Sequence, residues 1–453
     1  MGKGPRHRRR ESMKITSSYG VEIRKADGAL SSTLKTYREA VRVLSLFYDS
    51  VWEEVSSVEG EKKRFNYAEH LVHSTKRNRA VYGFDSRFPK MPSYLRRSAI
   101  THALGAVSSY RTRLRQWEDG GRKGRSPVLG ERTRAMPVFY RGNMYREGEG
   151  DTAFLKLYNG KDWVWVSASL LHTDMEYLRK HWTGVKASAP VLEKRHRKYF
   201  LRFSYEESRE TAVKPAQEQR VCAVDLGLNT DAVCSIMEAD GTVCARKFID
   251  FADEKDRLWK VLGRIRRKSR EHGPDSVGSL WGYAVRCNEE IAKKTAAAIV
   301  RFAQENNADV IVFEHLEMQG KIRGKRKMRL HIWKKRGVQR ICMHMAHRKG
   351  MRGARVCAWN TSALAYDGSG KVERDPGNHS LCTFRNGKRY NCDLSASYNI
   401  GARYFIRELT KPMPATAWSV LEAEVPAVRR RSSCVHADLA RLSAVMRENG
   451  LTA

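Results

Sequence analysis

No stretch of this 453-residue sequence reaches the roughly 18 uncharged apolar residues that a membrane-spanning helix needs. The opening residues, MGKGPRHRRR, are basic with no apolar segment behind them, so neither secretion nor a membrane anchor is expected. Arg6 stands where an N-myristoylation signal has Ser or Thr. The nine cysteines are odd in number and scattered from Cys222 to Cys434, which excludes a disulfide framework and points to a reducing, cytosol-like compartment. Acids are scarce: 50 Asp and Glu face 85 Lys and Arg, leaving a formal charge of +35. A compact chain repels itself at that charge, so a polyanionic partner is expected. No internal repeat is evident.

Apolar material is not lacking. Hydrophobic residues make up 41% of the chain, with 10 Trp, 18 Tyr and 14 Phe, which excludes wholesale disorder. At the usual domain size of roughly 100 to 200 residues, about two to four domains are expected.

Along the chain, ITSSYGVEIR reads as a first strand. Tyr37, Val41, Leu44, Tyr48, Val51 and Val55 then recur at spacings of four and three, one apolar stripe on a helix. Ile100, Leu104, Val107, Leu114 and Trp117 predict a second helix, with Arg96, Arg97, Arg111, Arg113 and Arg115 on or beside its wet side; a solvated face and a nucleic-acid-facing one fit equally. DGGRKGRSP is a loop or linker. From 136 to 205 the pattern turns to strands: FLKLY and WVWV flank Asn159-Gly160, a hairpin signal, and Tyr199, Leu201, Phe203 and Tyr205 alternate onto one face. Strands on both sides of the helical stretch suggest helices inserted into a β-domain. Residues 206–220 are polar, contain Pro215 and read as a linker. Beyond them come the strand VCAVDLG, a hairpin turning at Asp240-Gly241, a basic helix near 253–270, a helix with Ile291, Thr295, Ala298, Ile299 and Phe302 on one face, and the strand DVIVFE.

Metal-assisted phosphodiester hydrolysis needs carboxylates from separated segments to converge on a pair of ions about 4 Å apart. Asp225 and Glu314 each end an apolar strand, where a rigid backbone can aim a side chain; the plainer reading of either alone is an acid facing water. Asp393 opens a helix marked by Ala396, Ile400 and Tyr404, and its plainer reading is an N-cap.

Taken together in order, VDLGLN (224–229), FEHLE (313–317) and CDLSASYNI (392–400) resemble the three split RuvC-like motifs of the TnpB and compact type V CRISPR effector superfamily of RNA-guided nucleases. Asp225, Gly227 and Asn229 match the first motif, Glu314, His315 and Leu316 the second, and Asp393, Ala396, Asn399 and Ile400 the third. Ser395 replaces the usual Asn. The resemblance covers residues 221–404 well and the upstream chain loosely. It implies a multidomain α+β and α/β chain: a β-barrel-like domain with a helical recognition insert, followed by an RNase H-like (RuvC) nuclease domain with a small insert. The segments would be a basic arm and first part of the β-domain (1–30), helical recognition domain (31–125), wedge-like β-barrel (126–205), linker (206–220), first nuclease part (221–356), insert resembling a degenerate zinc ribbon (357–391), last nuclease part (392–408) and C-terminal tail (409–453).

By the same resemblance Asp225, Glu314 and Asp393 are the catalytic residues and ligands of a two-ion Mg2+ site. Between Lys321 and Arg340 the chain carries ten Lys or Arg and no acid, interleaved with Leu330, Ile332 and Trp333. In the family this stretch is a lid beside the nuclease site, and such a run holds a nucleic-acid backbone. Lys321, Arg323, Lys325, Arg326, Lys327, Arg329, Lys334, Lys335 and Arg336 are its candidate contacts, alongside Arg96 and Arg97. Relatives commonly carry two Cys-x-x-Cys pairs between the second and third motifs, whereas this chain offers Cys382 and Cys392. With His379 or Cys357 to complete a site the spacing departs from a ribbon, so zinc is not expected. The tail after Glu408, with Arg429, Arg430 and Arg431 and an amphipathic stretch from Ala437 to Met446, carries no motif; packing on the nuclease domain and gripping RNA are both open.

The expected function is an RNA-guided, magnesium-dependent DNA endonuclease acting beside a short flanking motif, with guide RNA and double-stranded target DNA as partners, in the cytoplasm of a prokaryotic cell and at its nucleoid. In such systems base pairing reads the sequence and the protein reads backbone shape. The alternatives are an RNA-guided DNA-binding protein with weak or no nuclease activity and a structural RNA-binding protein. Oligomeric state is left open.

Overall fold

The computed structural model describes residues 10–25, 28–130, 134–212, 214–315 and 335–451, and these fall into two units. The first spans 16–207, and the second gathers 10–15 with the described residues from 208 onward.

In the first unit, strands β1 (Arg10–Lys25), β2 (Tyr145–Glu147), β3 (Thr152–Tyr158), β4 (Trp163–Leu170), β5 (Val191–Arg195) and β6 (Lys198–Ala212) lie in the order β2-β3-β4-β1-β6-β5. Period-two alternation selects the inner face: β3 buries Ala153, Leu155 and Leu157, and β6 buries Leu201, Phe203 and Tyr205. Asn159 Oδ1 accepts from the amides of Lys161 and Asp162 at 2.9 and 2.8 Å, and Gly160 takes φ +102°, so the residues signalling a turn make one. The sheet curls. Outside β5, Phe139 N donates to Pro190 O and Leu192 N to Pro137 O, while the Tyr145 ring of β2 meets Phe203 of β6 edge-on at 5.8 Å. Among the described residues no ladder joins β2 to β5, so the barrel-like sheet is closed by a connecting segment.

Between β1 and β2 come helices α1 (Ala29–Ser50), α2 (Trp52–Ser57), α3 (Glu61–Val72), α4 (Phe84–Arg87) and α5 (Ser93–Asp119), and α6 (His172–Trp182) follows β4. The stripe on α1 buries Tyr37, Val41, Leu44 and Tyr48 against Leu95, Ile100 and Val107 of α5 in one core. The polar stretch 206–220 departs from its reading as a linker: residues 206–212 continue β6. A strand needs backbone partners more than apolar side chains, and β1, its neighbour in the sheet, supplies them.

In the second unit, β7 (Val221–Asp225), β8 (Ala232–Met237), β9 (Val243–Ile249), β10 (Val310–His315) and β11 (Arg352–Cys357) lie in the order β11-β10-β7-β8-β9. The chain turns antiparallel through β8 and β9, then pairs β10 parallel to both β7 and β11. Helices α7 (Ala252–His272), α8 (Gly278–Glu305), α9 (Lys335–Arg348), α10 (Cys392–Thr410), α11 (Ala415–Glu424) and α12 (His436–Glu448) accompany the sheet, with a small sheet of β12 (Glu373–Arg374), β13 (Leu381–Thr383) and β14 (Arg389–Asn391) ahead of α10.

Both faces of the five-stranded sheet are covered, which is why β7 is apolar from Val221 to Val224 rather than alternating. Cys222, Val224, Ile311 and Phe313 share a core with Ile299 of α8 and Cys342 of α9. Val221, Ala223, Val310 and Val312 share the other with α10 and with Leu439, Leu442, Val445 and Met446 of α12. The tail therefore completes the core; its apolar residues at spacings of three and four find α10. At the crossing point Gly401 of α10 leaves no room: a Cβ there would sit 3.0 Å from Met237 Sδ and 3.3 Å from Ala223 Cβ.

Replacing Gly401 by Val is expected to force α10 off the sheet and to cost about 1–3 kcal/mol, the usual range for overpacking. Urea unfolding should show a lowered midpoint at unchanged slope; a wild-type midpoint would show that the close approach is unimportant.

Candidate active site

The two strand-end acids are set by register. Val310 to Phe313 of β10 pair with Val221 to Val224 of β7, so the next position on each strand brings Glu314 level with Asp225. Parallel neighbours lie roughly 4.8 Å apart. Period two then assigns the face: Asp225 follows Val221 and Ala223, Glu314 follows Val310 and Val312, and all four apolar residues belong to the core beneath α10. The plainer reading of both acids fails, because neither faces water; Asp225 is 7% and Glu314 8% exposed.

The third acid comes from α10 itself. Its cap is Asn391, whose side chain accepts from Leu394 N at 2.9 Å, so the plainer role for Asp393 is already filled by another residue. Asp393 sits half-buried in the first turn and lines a cleft of about 180 Å3 with Gly227, Leu228, Asn229, Arg374, His379 and Ser380. The loop after Asp225 thus faces the start of α10.

That loop has little freedom. A Cβ on Gly227 would meet Thr230 O at 2.4 Å, which gives the glycine of the first motif a steric reason. Lys255 Nζ donates to Asn229 O and to Asp250, and buried Asp231 accepts from Phe251 N at 2.8 Å. Burial, ahead of every other cause, raises the Asp231 pKa.

Glu314 is aimed by a relay. Thr361 Oγ1 donates to Glu314 Oε1, and Thr361 O accepts from Asn399 Nδ2 at 3.0 Å. The same amide donates to Leu364 O at 3.0 Å and accepts from His436 N at 3.0 Å. Gln339 Nε2 holds the Glu314 carbonyl at 2.9 Å. Ser395, at the position that departs from the family pattern, accepts from Tyr366 N at 3.2 Å and so fixes the insert to α10. Below the relay, buried Arg403 donates to the carbonyls of Cys357, Trp359 and Cys434; desolvation lowers its pKa, and Glu314 is among the charges opposing that. Thr361, Lys255, Arg374 and Arg403 were not singled out by sequence, since none lies in a recognisable motif.

Three carboxylates are hard oxygen donors, suited to Mg2+ rather than to a thiophilic ion. Among the described residues, however, no three His, Cys, Asp or Glu side chains converge closely enough to hold a metal. What the fold supplies is two acids level on one face and a third on the helix covering that face.

The other sequence candidates fall differently. Arg96 does not lie on the wet side of α5: its side chain is 9% exposed, 3.7 Å from both Glu69 and Asp85, because its position faces α3 across the helical core. Arg97, next along, is 49% exposed and lies over the Phe65 ring at 5.0 Å. Lys321, Arg323, Lys325, Arg326, Lys327, Arg329 and Lys334 lie outside the described residues, as do the side chains of Lys335 and Arg336. Cys382 and Cys392 are buried together among Ala365, Phe384 and Tyr390. Burial first, then the hydrogen bond to Cys392, pushes the Cys382 thiol up to about 12.

A family model described as the Aq_aa04 family matches residues 17–159, within the first unit. No curated protein matches the chain. Solved structures similar to it include a Cas12f1–sgRNA–target DNA complex, at 13% identity over 75% of this chain and 73% of that one, with a TM-score of 0.47. CasPhi-2 (Cas12j) bound to crRNA is similar at 9% identity over 88% and 99% of the two chains, with a TM-score of 0.44. Alicyclobacillus acidoterrestris C2c1 with single-guide RNA is similar at 11% identity over 83% and 65%, with a TM-score of 0.38.

Thr361→Val should leave a buried Glu314 oxygen without its donor and lower stability by about 1–3 kcal/mol, measured by denaturant unfolding. Because the Cys382 proton is held more tightly in the fold than in the unfolded chain, its contribution is complete below about pH 8.5. It fades as pH rises toward about 12. Wild type should therefore lose stability relative to Cys382→Ala across that alkaline window; parallel pH profiles would contradict the buried-thiol assignment.

Proposed function

We propose that this chain is an RNA-guided DNA endonuclease that hydrolyses phosphodiesters at Asp225, Glu314 and Asp393 with a divalent cation. The observation that carries the reading is the register: Asp225 and Glu314 stand level on one buried sheet face, beneath the helix that Asp393 opens. Three motifs in the family's order supply those same acids, and a formal charge of +35 calls for a polyanion such as a guide RNA.

When bound, Mg2+ would lower the cost of deprotonating the attacking water and of charge on the leaving oxygen. The protein's part is positioning. Thr361 fixes the Glu314 carboxylate through a bond anchored to α10 by Asn399, Gly227 keeps the following loop tight against Thr230, and Asn391 caps the helix so that Asp393 is spared that role. Arg374 and His379, lining the cleft beside Asp393, are placed to meet the phosphate backbone of a strand. The partners in this reading are a guide RNA and double-stranded DNA.

That no three His, Cys, Asp or Glu side chains converge on a metal position among the described residues favours the second reading, a guide-dependent DNA-binding protein that does not cut. One experiment separates them. The protein is purified from cells carrying its locus, the bound RNA is sequenced, and the complex is given Mg2+ and DNA matching the RNA's variable end. Cutting is expected, abolished by EDTA and reduced about a thousandfold or more in Asp225→Ala, Glu314→Ala and Asp393→Ala, the several kcal/mol that metal catalysis supplies. Guide-dependent binding without cutting would establish the second reading, and a random mixture of bound RNA would overturn both.

A further inference from the structure

At the sheet edge where the candidate acids stand, one large side chain is left in solvent. Strands β7, β10 and β11 run parallel, so they end on the same edge, and Cys357, the last residue of β11, is level with His315, the residue after Glu314. Trp359 lies two residues beyond and is 67% exposed. Among the described residues no other aromatic side chain is as exposed, and no ring or guanidinium is stacked on this one. A packed aromatic side chain buries roughly 150–250 Å2, so leaving an indole in water forgoes a large stabilisation.

The exposure is not that of a loose loop. Buried Arg403 donates through Nη1 to the carbonyls of Cys357 and Trp359, both at 2.8 Å. Asn360 then turns the chain at φ +57°, a left-handed conformation that Asn tolerates, and its carbonyl accepts from Ala363 N at 3.2 Å and Leu364 N at 3.1 Å. Thr361 follows, with its bond to Glu314. Two residues span at most about 7 Å, so the Trp359 backbone is held within that distance of the residue that aims a candidate catalytic carboxylate.

A cation is fixed to the same segment. Arg374 Nη2 donates to Ser362 O at 3.3 Å, lines the cleft with Asp393 and is paired with no acid among the described residues. One carbonyl bond leaves most of its N–H donors available. An exposed flat ring and a guanidinium on one rigid segment are the two parts of single-strand binding: the ring takes the face of a base of any identity, and the cation takes the backbone.

We propose that Trp359 stacks on one base of the DNA strand laid across Asp225, Glu314 and Asp393, with the backbone of that strand at Arg374. The proposal rests on the reading of those acids as a nuclease site, and it gives a substrate-positioning role to a residue outside the three motifs. Stacking needs a base with a free face, which a base inside a duplex does not offer.

The test uses the full chain with the RNA it carries. Single-stranded deoxyribo-oligomers bearing 5-iodouracil, a photo-crosslinker that reacts with stacked aromatic rings, are irradiated in its presence and the adduct is mapped by mass spectrometry. It is expected on Trp359. In anisotropy titrations Trp359→Ala should bind the unmodified oligomer about five- to a hundredfold more weakly, the usual ratio for one stacked base, and Trp359→Phe should recover most of that loss. An abasic oligomer of the same length keeps the phosphates without the bases and should bind wild type and Trp359→Ala alike; an equal loss for both oligomers would overturn the proposal. The crosslink is made on the natural residue, so it stands as a test even where a variant folds poorly. An adduct formed by a ribo-oligomer alone would overturn the assignment to the DNA strand. Adducts only at other residues, with unchanged affinity in Trp359→Ala, would overturn the proposal and leave cleavage at the three acids standing. An adduct on Trp359 in a protein that cuts no guide-matched DNA would support the stacking site and overturn the nuclease reading.

Discussion

One buried amide ties the second unit together. Asn399, with no exposed surface, donates to the carbonyls of Thr361 and Leu364 and accepts from the amide of His436, so a single side chain joins α10 to the segment after β11 and to the start of α12. Each bond satisfies a backbone group that burial would otherwise leave unmet. Because Thr361 also donates to Glu314, the same amide sets the height of a candidate catalytic carboxylate relative to the helix that carries another. Asn is suited to this because it offers two donors and an acceptor in one short plane. Asp or Leu of similar size could not serve both kinds of partner.

The constraint explains why α10 is buried on nearly every side. It faces the sheet through Gly401, the tail through Arg403 and Asn399, and the insert through Ser395. A helix buried all round is ordinarily a core helix, and here its first turn carries Asp393, the acid that lines the cleft among the described residues. The position of Asp393 is therefore inherited from packing far along the helix. Gly401 acts at the same remove, since a displaced α10 would carry Asp393 with it.

What could be read in the sequence follows the same division. The order and wording of the three motifs were legible because local strand and helix grammar surrounds each acid, whereas the parallel pairing of β7 with β10 comes from the fold alone. The tail was not legible: its apolar residues show the spacing of a helix, but only α10 says which core they enter. Arg96 shows the limit of charge reading. It sits in an arginine-rich helix like its neighbours, and nothing local reveals that its position points toward Glu69 and Asp85. Residues 206–212 show another, since polar side chains conceal a strand whose backbone pairs. The Cys382 and Cys392 pair shares spacing with nothing informative; its meaning lies in the apolar side chains that surround it.

Charge gives the last step. In a chain carrying a formal +35, the buried charged side chains among the described residues of the second unit are three acids, Asp225, Asp231 and Glu314, and two cations, Lys255 and Arg403. Lys255 bonds the loop at Asn229 and Asp250 and lies 3.7 Å from Asp231, and Arg403 spends its bonds on three carbonyls. Half-buried Asp393 lines the cleft with the loop that follows Asp225 and with Arg374. Burying a carboxylate is costly unless positive charge or hydrogen bonds meet it, and here Thr361 Oγ1 meets Glu314 while Phe251 N and the Lys255 ammonium meet Asp231.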